Sequence, residues 1–236
     1  MLRLVFHAAV IALSTFVFGT LAILLLILVP TGDPLLWLAR PWARTITFAC
    51  GVKVIVTGAE KIPAGTACIL LCNHQSNFDI LALVQSLPGQ YRILAKRVLF
   101  FIPVFGWAIW LAGCIPVDRS RRENAIRSIG RAAEKVRGGR SILIFGEGTR
   151  SEDGSLQPLK KGGFHLALQS GAPIVPISIS GSRAVLPKGS PYIRPGRIDL
   201  VISDPIATSG RALAAMDELM REVASALRAG LAAAET

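Results

Sequence analysis

Hydrophobic and polar positions divide this chain into an apolar N-terminal part and a body of short alternating segments. In the body, short apolar runs bounded by Gly, Pro or charged residues predict β-strands. The predicted strands are VKVIVTG, ACILLC, YRILAK, CIPVDR, SILIFGEG, PIVPISISG and RIDLVI.

Between these strands, segments with apolar residues three and four positions apart predict helices. The predicted helices are FDILALVQSL, FFIPVFGWAIWLAG, RRENAIRSIGRAAEKVRGG, GGFHLALQSG and MDELMREVASALRAGL. Strands that alternate with helices in this way are typical of a sheet covered by helices. The pattern therefore predicts an α/β fold with a mixed sheet of about seven strands flanked by helices.

The N-terminal segment is long and apolar enough to enter a lipid bilayer. Between Leu4 and Val29 only His7 could carry a charge. As a helix this run would extend about 39 Å, more than the ~30 Å hydrocarbon core of a bilayer. A cleaved signal peptide is the alternative, but its apolar run is usually only ~7 to 15 residues long, and no small-x-small cleavage site precedes Pro30. We therefore predict a retained anchor.

A second apolar segment, from Leu35 to Ala49, contains Trp37, Arg40, Trp42 and Arg44. Trp and Arg together are typical of the headgroup region, where their polar tips stay wet and their bodies contact acyl chains. We expect a second anchoring helix here. The sequence leaves open whether these helices span the bilayer or lie in one leaflet.

The two segments predict membrane-anchoring helices in residues 1–50 and a separate domain in residues 51–236. Basic residues in the second segment and in the following body predict that this domain faces the cytoplasm, under the positive-inside rule.

Composition agrees with a membrane protein that has a basic body. Hydrophobic residues make up 52% of the chain, charged residues only 17%, and the net charge is +11. Such a charge suits an anionic membrane surface, an acidic carrier protein or a phosphate-bearing substrate. We expect no nucleic-acid partner, because no recognition module appears. The cysteines have no metal-type spacing, and we predict that all four are reduced and structural.

The stretch NHQSNFD places His74 and Asp79 directly after the predicted buried strand ACILLC. Five residues apart, the two side chains would diverge on a helix and lie on opposite faces of a strand. They can meet only if a loop folds between them, and Asn, Ser and Gln at a strand-to-helix junction favour such a loop. There the aspartate could hold one imidazole nitrogen and leave the other free as a base. A helix cap beside a surface histidine is the alternative.

Two further predicted strands end in polar residues. GCIPVDR ends with Arg119, and FGEGTRS contributes Glu147 and Arg150 in a glycine-bearing turn. Ligand sites of open α/β sheets lie at such strand ends. Guanidinium groups match phosphate oxygens, and glycine lets backbone amides approach an anion. We therefore expect one site in which a base lies near cationic groups.

These stretches resemble a known family. NHQSNFD, KRVLFFIPVFGW, GCIPVDR, FGEGTRS and IVPI occur in the order of the four motif blocks of the glycerolipid acyltransferases of the 1-acylglycerol-3-phosphate type. The resemblance implies transfer of an acyl chain from a thioester, on coenzyme A or acyl carrier protein, to the free hydroxyl of a lysophospholipid. The acceptor would be lysophosphatidic acid and the product phosphatidic acid. It implies a membrane lipid as partner, and we expect no metal and no other cofactor.

The resemblance also suggests roles for individual residues. His74 resembles the general base and Asp79 its partner. The substrate-binding residues that it implies are Lys96, Arg119, Glu147, Gly148, Thr149, Arg150, Val175, Pro176 and Ile177. The last three belong to the fourth block, which borders the acyl pocket. We expect Trp107 and Trp110 in the core or in the wall of an acyl tunnel.

Two positions depart from the family pattern. Gly146 replaces the proline of Phe-Pro-Glu-Gly-Thr-Arg-Ser, and we expect a differently shaped turn because glycine permits positive φ. KRVLF stands where the family usually has an acidic residue after its lysine pair.

Three alternatives remain at this point. The acceptor could be another lyso-lipid, such as lyso-ornithine lipid, or the chain could be a non-catalytic lipid-binding protein with a decayed site. A nucleic-acid binder would need base-reading groups, which the motifs do not supply. The acyl donor, its chain length and the oligomeric state are not determined by the sequence.

Overall fold

Seven strands form in the residues that the computed structural model describes, which are 1–29, 35–118 and 122–234. The strands are β1 Val52–Thr57, β2 Ile69–Cys72, β3 Tyr91–Lys96, β4 Ile115–Val117, β5 Ser141–Phe145, β6 Ile174–Ser180 and β7 Gly196–Ile202. Each strand overlaps one predicted apolar run.

The strands form one sheet in the order β1-β7-β6-β2-β5-β3-β4. The five strands from β6 to β4 run parallel to one another, whereas β7 is antiparallel to β6 and parallel to β1. The predicted mixed sheet is therefore confirmed. Because the five parallel strands point the same way, their carboxyl ends lie along one edge of the sheet.

Helices cover both faces of this sheet. They are α1 Leu2–Leu28, α2 Leu35–Ala49, α3 Phe78–Ser86, α4 Phe105–Leu111, α5 Arg122–Arg137, α6 Lys161–Ser170, α7 Ser182–Val185 and α8 Met216–Ala234. Short 3₁₀ helices occur at Ala59–Lys61, Arg97–Phe101 and Leu213–Ala215. The four-residue helix α7 was not predicted, since it is too short to show a periodic pattern.

The central strand β2 explains how two cores form. Leu70 and Cys72 point to one face, where they join a buried cluster that includes residues of α2 and α3. Ile69 and Leu71 point to the other face and join a cluster with residues of α5, α6 and α8. Alternation of side chains along a strand that is buried on both faces produces this division. All four cysteines are free and buried, as predicted.

The two N-terminal helices differ in their surroundings. Among the described helices, α1 alone is long and apolar enough to cross a membrane, judged by length and composition. In α2, Ala43 and Ile46 are buried in the core beside α3. The guanidinium of Arg40 donates hydrogen bonds to the carbonyls of Leu87 (3.0 Å) and Gly89 (3.1 Å), so this arginine is attached to the α/β body. The two-helix anchor and the boundary at residue 50 remain predictions.

The expectation that Trp107 and Trp110 lie in the core is wrong, and neither lines a described cavity. Their side chains are 56% and 66% exposed, respectively. Helix α4 instead buries its small residues Gly106 and Ala108. A Cβ at Gly106 would lie within 2.5 Å of the Phe100 carbonyl group, so the small face packs closely on the preceding 3₁₀ helix and the tryptophans point outward.

Candidate active site

The carboxyl edge of the sheet brings the predicted polar motifs together. His74 follows β2, Lys96 ends β3, Asp118 follows β4, and the segment 146–151 follows β5. These four strands are parallel neighbours in the sheet. Their loops therefore meet at one edge, as expected for a ligand site in an open α/β sheet.

His74 and Asp79 are in direct contact across the loop between β2 and α3. The distance from His74 Nδ1 to Asp79 Oδ2 is 2.7 Å, which confirms the predicted contact. The backbone amides of Gln75 and Ser76 donate to the same oxygen at 2.7 and 2.9 Å. Three donors stabilise a carboxylate that is fully buried. Because an ionised carboxylate only accepts hydrogen bonds, His74 Nδ1 is the donor to it, and in a neutral imidazole this leaves the lone pair on Nε2.

The other polar side chains of NHQSNFD fix the loop itself. The amide of Asn73 exchanges two hydrogen bonds with the backbone of Ile179 in β6, at 2.9 and 2.7 Å. Gln75 Nε2 donates to a carbonyl in the loop after β5. Ser76 Oγ donates to the Leu186 carbonyl at 2.8 Å. Each of these residues attaches the loop to a different neighbouring segment.

The FGEGTRS loop contacts the ring, the backbone N–H and the backbone C=O of His74. The Phe145 ring stacks on the imidazole, with centroids 3.8 Å apart and planes at 17°. Glu147 Oε1 accepts a hydrogen bond from the His74 amide at 2.9 Å. The Ser151 amide donates to the His74 carbonyl at 2.8 Å. The third motif block therefore holds the histidine in place.

Glu147 is itself buried, with 2% exposure. Burial raises its pKa from 4.5 to about 7, although hydrogen bonds from the backbone of His74 and Gln157 partly oppose this effect. The negative charge of Asp79 raises the Glu147 pKa further. A neutral Glu147 avoids a second buried carboxylate charge near Asp79.

The turn after β5 differs from the expectation for Gly146. Positive φ occurs at Gly148 (φ 76) and not at Gly146. The Gly146 amide donates to the Cys72 carbonyl at 2.8 Å, a bond that proline could not make. A Cβ at this position would lie 2.8 Å from Leu71 Cδ2 and 3.0 Å from Leu159 Cδ2. Close packing therefore favours glycine here, and the hydrogen bond excludes proline.

A cavity of about 870 Å³ opens beside His74. Asn77 and Phe145 also line it, together with apolar residues from β3 and the 3₁₀ helix that follows. Four cationic residues line the same cavity: Lys96, Arg97, Arg150 and Lys188. Arg97 lies 3.5 Å from Asp118, and Lys188 lies 2.9 Å from Glu152. The cavity wall nevertheless carries an excess of positive charge, which favours an anionic ligand.

A smaller apolar cavity of about 80 Å³ lies between α1, α2, α4 and the sheet. Its lining is apolar except for Thr15. Ile80 and Ile93 line both this cavity and the larger one. A cationic compartment and an apolar one therefore lie side by side, with these two side chains between them.

Several predicted residues lie at the larger cavity and others do not. Lys96, Gly148, Thr149 and Arg150 line it, as does His74. Arg119 lies outside the described residues.

Glu147 is not part of the cavity lining and contacts the His74 backbone instead. Val175, Pro176 and Ile177 are buried in β6, where they pair with β2 in the sheet interior. Neither described cavity has these three residues in its lining.

The lining residues that were not predicted include Asn77, Arg97, Phe145 and Lys188. Asn77 and Phe145 belong to motifs that the sequence analysis had singled out. Arg97 directly follows Lys96 at the end of a strand, so the strand-end argument could have included it. Lys188 lies between α7 and β7 in a segment without a motif, and no signal in the sequence marks it.

A sequence profile described as Acyltransferase matches residues 53–180. This match covers more than half of the chain, and the chain therefore belongs to the Acyltransferase family.

Several similar proteins are named 1-acyl-sn-glycerol-3-phosphate acyltransferase. The chain is 35% identical over 223 residues to the chloroplastic protein BAT2 of Brassica napus, covering 89% of this chain and 64% of that one. It is 36% identical over 170 residues to the alpha protein of Homo sapiens, covering 70% and 59%. The chain thus spans about three fifths of the length of these relatives.

A solved structure has the same fold. The crystal structure of the 1-acyl-sn-glycerophosphate (LPA) acyltransferase PlsC from Thermotoga maritima aligns with a TM-score of 0.80 and 26% identity. The alignment covers 96% of this chain and 95% of that one. The similarity therefore includes the N-terminal helices as well as the α/β body.

Proposed function

We propose that this protein transfers an acyl group from a thioester to the free hydroxyl of 1-acylglycerol-3-phosphate, giving phosphatidic acid. The observation that carries the proposal is the His74 to Asp79 contact of 2.7 Å at the wall of a cationic cavity. Family membership and the names of the relatives support the same reaction.

His74 acts as the general base in this proposal. Its Nε2 takes the proton of the acceptor hydroxyl as the hydroxyl oxygen attacks the thioester carbonyl. The tetrahedral intermediate then breaks its carbon–sulfur bond, and the imidazolium returns the proton to the departing thiolate. Asp79 holds the Nδ1 proton and stabilises the positive charge that forms on the ring. The products are an ester and a free thiol, so no covalent enzyme intermediate is needed.

The cationic residues of the cavity bind the phosphate of the acceptor. Lys96 and Arg150 line the cavity, and positive side chains of this kind suit a phosphate monoester. Arg119, which follows Asp118 in the chain, is proposed as a further phosphate ligand. The apolar cavity that shares Ile80 and Ile93 with the larger one suits part of an acyl chain.

The donor is an acyl thioester on coenzyme A or acyl carrier protein, and neither a metal nor a cofactor takes part. A thioester already has a good leaving group, so one positioned base is sufficient for attack by an alcohol. We propose that α1 keeps the protein at the membrane, where the lipid acceptor is found, with the α/β body in the cytoplasm.

Acyl transfer assays with two acceptors test this function. Purified protein, a labelled acyl thioester and 1-acylglycerol-3-phosphate should give labelled phosphatidic acid. A lyso-lipid without phosphate, such as lyso-ornithine lipid, should react at least about tenfold more slowly, because it lacks the charge-assisted contacts. Faster reaction with the phosphate-free acceptor would show that the proposed substrate is wrong.

A further inference from the structure

The segment from residue 97 to residue 111, here called the aromatic hairpin, exposes large apolar side chains. It consists of the 3₁₀ helix Arg97–Phe101, a turn at Val104, and α4. Phe101 is 70% exposed, Trp107 56% and Trp110 66%. The two tryptophans are three residues apart and therefore lie on the same side of α4. Large aromatic groups grouped in this way on a surface indicate a partner that removes them from water.

The hairpin is fixed to α1 at its turn. Val104 has φ 64 and ψ −60, and the Phe105 amide donates to the Pro103 carbonyl at 2.7 Å. A Cβ at Gly19 of α1 would lie only 2.5 Å from Val104 Cγ1. Glycine at this position lets the turn contact the helix directly. The positive φ of a β-branched residue is unfavourable, and this contact helps to hold it.

Helix α1 itself exposes large apolar side chains on both sides of Gly19. Leu13, Phe16 and Leu24 of α1 are 66%, 60% and 55% exposed. Only 17% of the most apolar 18-residue stretch of α1 is buried within the protein. The aromatic hairpin is thus attached to a helix that is itself suited to lipid.

The hairpin also forms part of the wall of the candidate active site. Val98, Leu99 and Phe101 line the larger cavity, next to Lys96 and Arg97. Val98 and Phe101 are exposed as well as lining the cavity. The hairpin therefore connects an exposed apolar surface to the cavity that contains His74.

We propose that the aromatic hairpin is a second membrane-contact surface, distinct from α1, that inserts into the headgroup and upper acyl region of the bilayer. Trp side chains with neighbouring Lys and Arg match that region, since their polar tips contact headgroups and their apolar parts contact acyl chains. Attachment to α1 favours lipid over a protein partner. On the proposed function, the lipid acceptor moves from the bilayer into the cavity along Val98 and Phe101.

A fluorescent probe on the hairpin tests the contact without relying on activity. All four native cysteines are buried, so Trp110→Cys can be labelled selectively with an environment-sensitive dye. Leu213→Cys is the matched control, because Leu213 is 60% exposed and precedes α8, which packs on the opposite face of the sheet.

On vesicles of anionic phospholipid, the probe at position 110 should shift to shorter wavelength. Lipids brominated on the acyl chain should quench it, whereas the probe at position 213 should do neither. A probe at position 110 that stays water-exposed on vesicle-bound protein overturns the proposal. A wavelength shift without quenching by brominated lipid also overturns it and indicates contact with protein, within the chain or with a second copy.

Activity measurements separate this proposal from the proposed function. With a short-chain acceptor dissolved as monomers, Trp107→Ser/Trp110→Ser should have the parental rate, since neither side chain lines the cavity. With a long-chain acceptor in vesicles, its rate should fall about tenfold, because the hairpin loses apolar contact with lipid. Equal loss on both acceptors would overturn the membrane-contact proposal. A parent chain that acylates neither acceptor would instead contradict the proposed function and leave the probe result unaffected.

Discussion

The two parts of the cavity beside His74 are built in different ways. His74 is held by buried groups on several sides: Asp79 at Nδ1, Phe145 on the ring face and Glu147 at the backbone amide. The basic residues, by contrast, are partly or largely exposed; the Arg97 side chain is 62% exposed and that of Lys188 37%. On the proposed function, the difference indicates that the general base is pre-organised, whereas the groups proposed to bind phosphate can adjust to the substrate. Changes on the His74 side should therefore reduce kcat, and changes among the cations should raise KM.

The largest effect is expected for Asp79→Asn. Asparagine has nearly the same size, but its amide cannot stabilise the imidazolium and can select the wrong tautomer of His74. We expect kcat to fall by about 10³-fold, with little change in the KM for 1-acylglycerol-3-phosphate. Steady-state kinetics would measure both constants. A raised KM with normal kcat would instead identify Asp79 as a substrate ligand.

Glu147 offers a sharper test, because alanine and glutamine remove different things. Glu147→Ala removes the acceptor of the His74 amide and should lower kcat by about tenfold to hundredfold through misplacement of the imidazole. Glu147→Gln keeps an oxygen that can accept this bond and should retain kcat within about threefold. If both variants raise KM and leave kcat unchanged, Glu147 binds substrate and does not position His74.

On the cationic side, Lys96→Met should raise the KM for 1-acylglycerol-3-phosphate by about tenfold, because one charge-assisted contact with phosphate is lost. The value of kcat should change little. Lys53→Met is the matched control, since Lys53 is exposed on β1 at the far end of the sheet. A loss of kcat in Lys96→Met, without a change in KM, would break the proposed division between the two parts of the cavity.

Close packing at Gly146 predicts a smaller effect on stability. Gly146→Ala should lower the free energy of unfolding by about 1 kcal/mol, because the added methyl group displaces the ends of Leu71 and Leu159. Gly146→Pro should cost more, since it also removes the hydrogen bond to Cys72. Denaturant unfolding in detergent would measure both. Equal stability of the parent and the proline variant would show that the turn is not as tightly packed as described.

The pH dependence of stability tests the raised pKa of Glu147. The native pKa of Glu147, about 7, is higher than its ordinary value of 4.5, so the native state binds this proton more tightly than the unfolded state does. The resulting stabilisation is complete below about pH 4.5 and is lost as pH rises through about 7. Glutamine does not titrate, so the stability of Glu147→Gln relative to the parent should rise as the pH increases from about 5 to about 8. Thermal unfolding would measure the melting temperature of both proteins over this pH range. A constant difference between the two melting temperatures would contradict the raised pKa of Glu147.

The sequence predicted the fold and the central contact because both depend on local pattern. The short apolar run of β2 and the polar loop after it allowed contact between His74 and Asp79, with a helix cap beside a surface histidine as the alternative. The polar ends of the neighbouring predicted strands favoured the contact. The apolar stripe of α8 was also predicted, and its Leu219, Val223 and Leu227 are fully buried.

Other features depend on contacts between distant segments. Trp107 and Trp110 were expected in the core or in the wall of an acyl tunnel because they lie in an apolar run, but the run alone does not reveal which side of α4 packs on the protein. The hydrogen bond from the His74 backbone to Glu147 was likewise not predictable, since a motif identifies a carboxylate without identifying its partner. Val175 and its neighbours in β6 show the same limit, because only the sheet order places them beside β2.

The most direct test of the account is the initial rate of phosphatidic acid formation by His74→Ala, compared with His165→Ala. His165 is half-buried on α6, in the helix layer on the other face of the sheet, and controls for the loss of a histidine. We predict that His74→Ala is slower than the parent by at least about 10³-fold and that His165→Ala keeps the parental rate. General-base catalysis is worth about 10²- to 10⁴-fold. The central claim would therefore be contradicted if His74→Ala retained more than about a tenth of the parental rate.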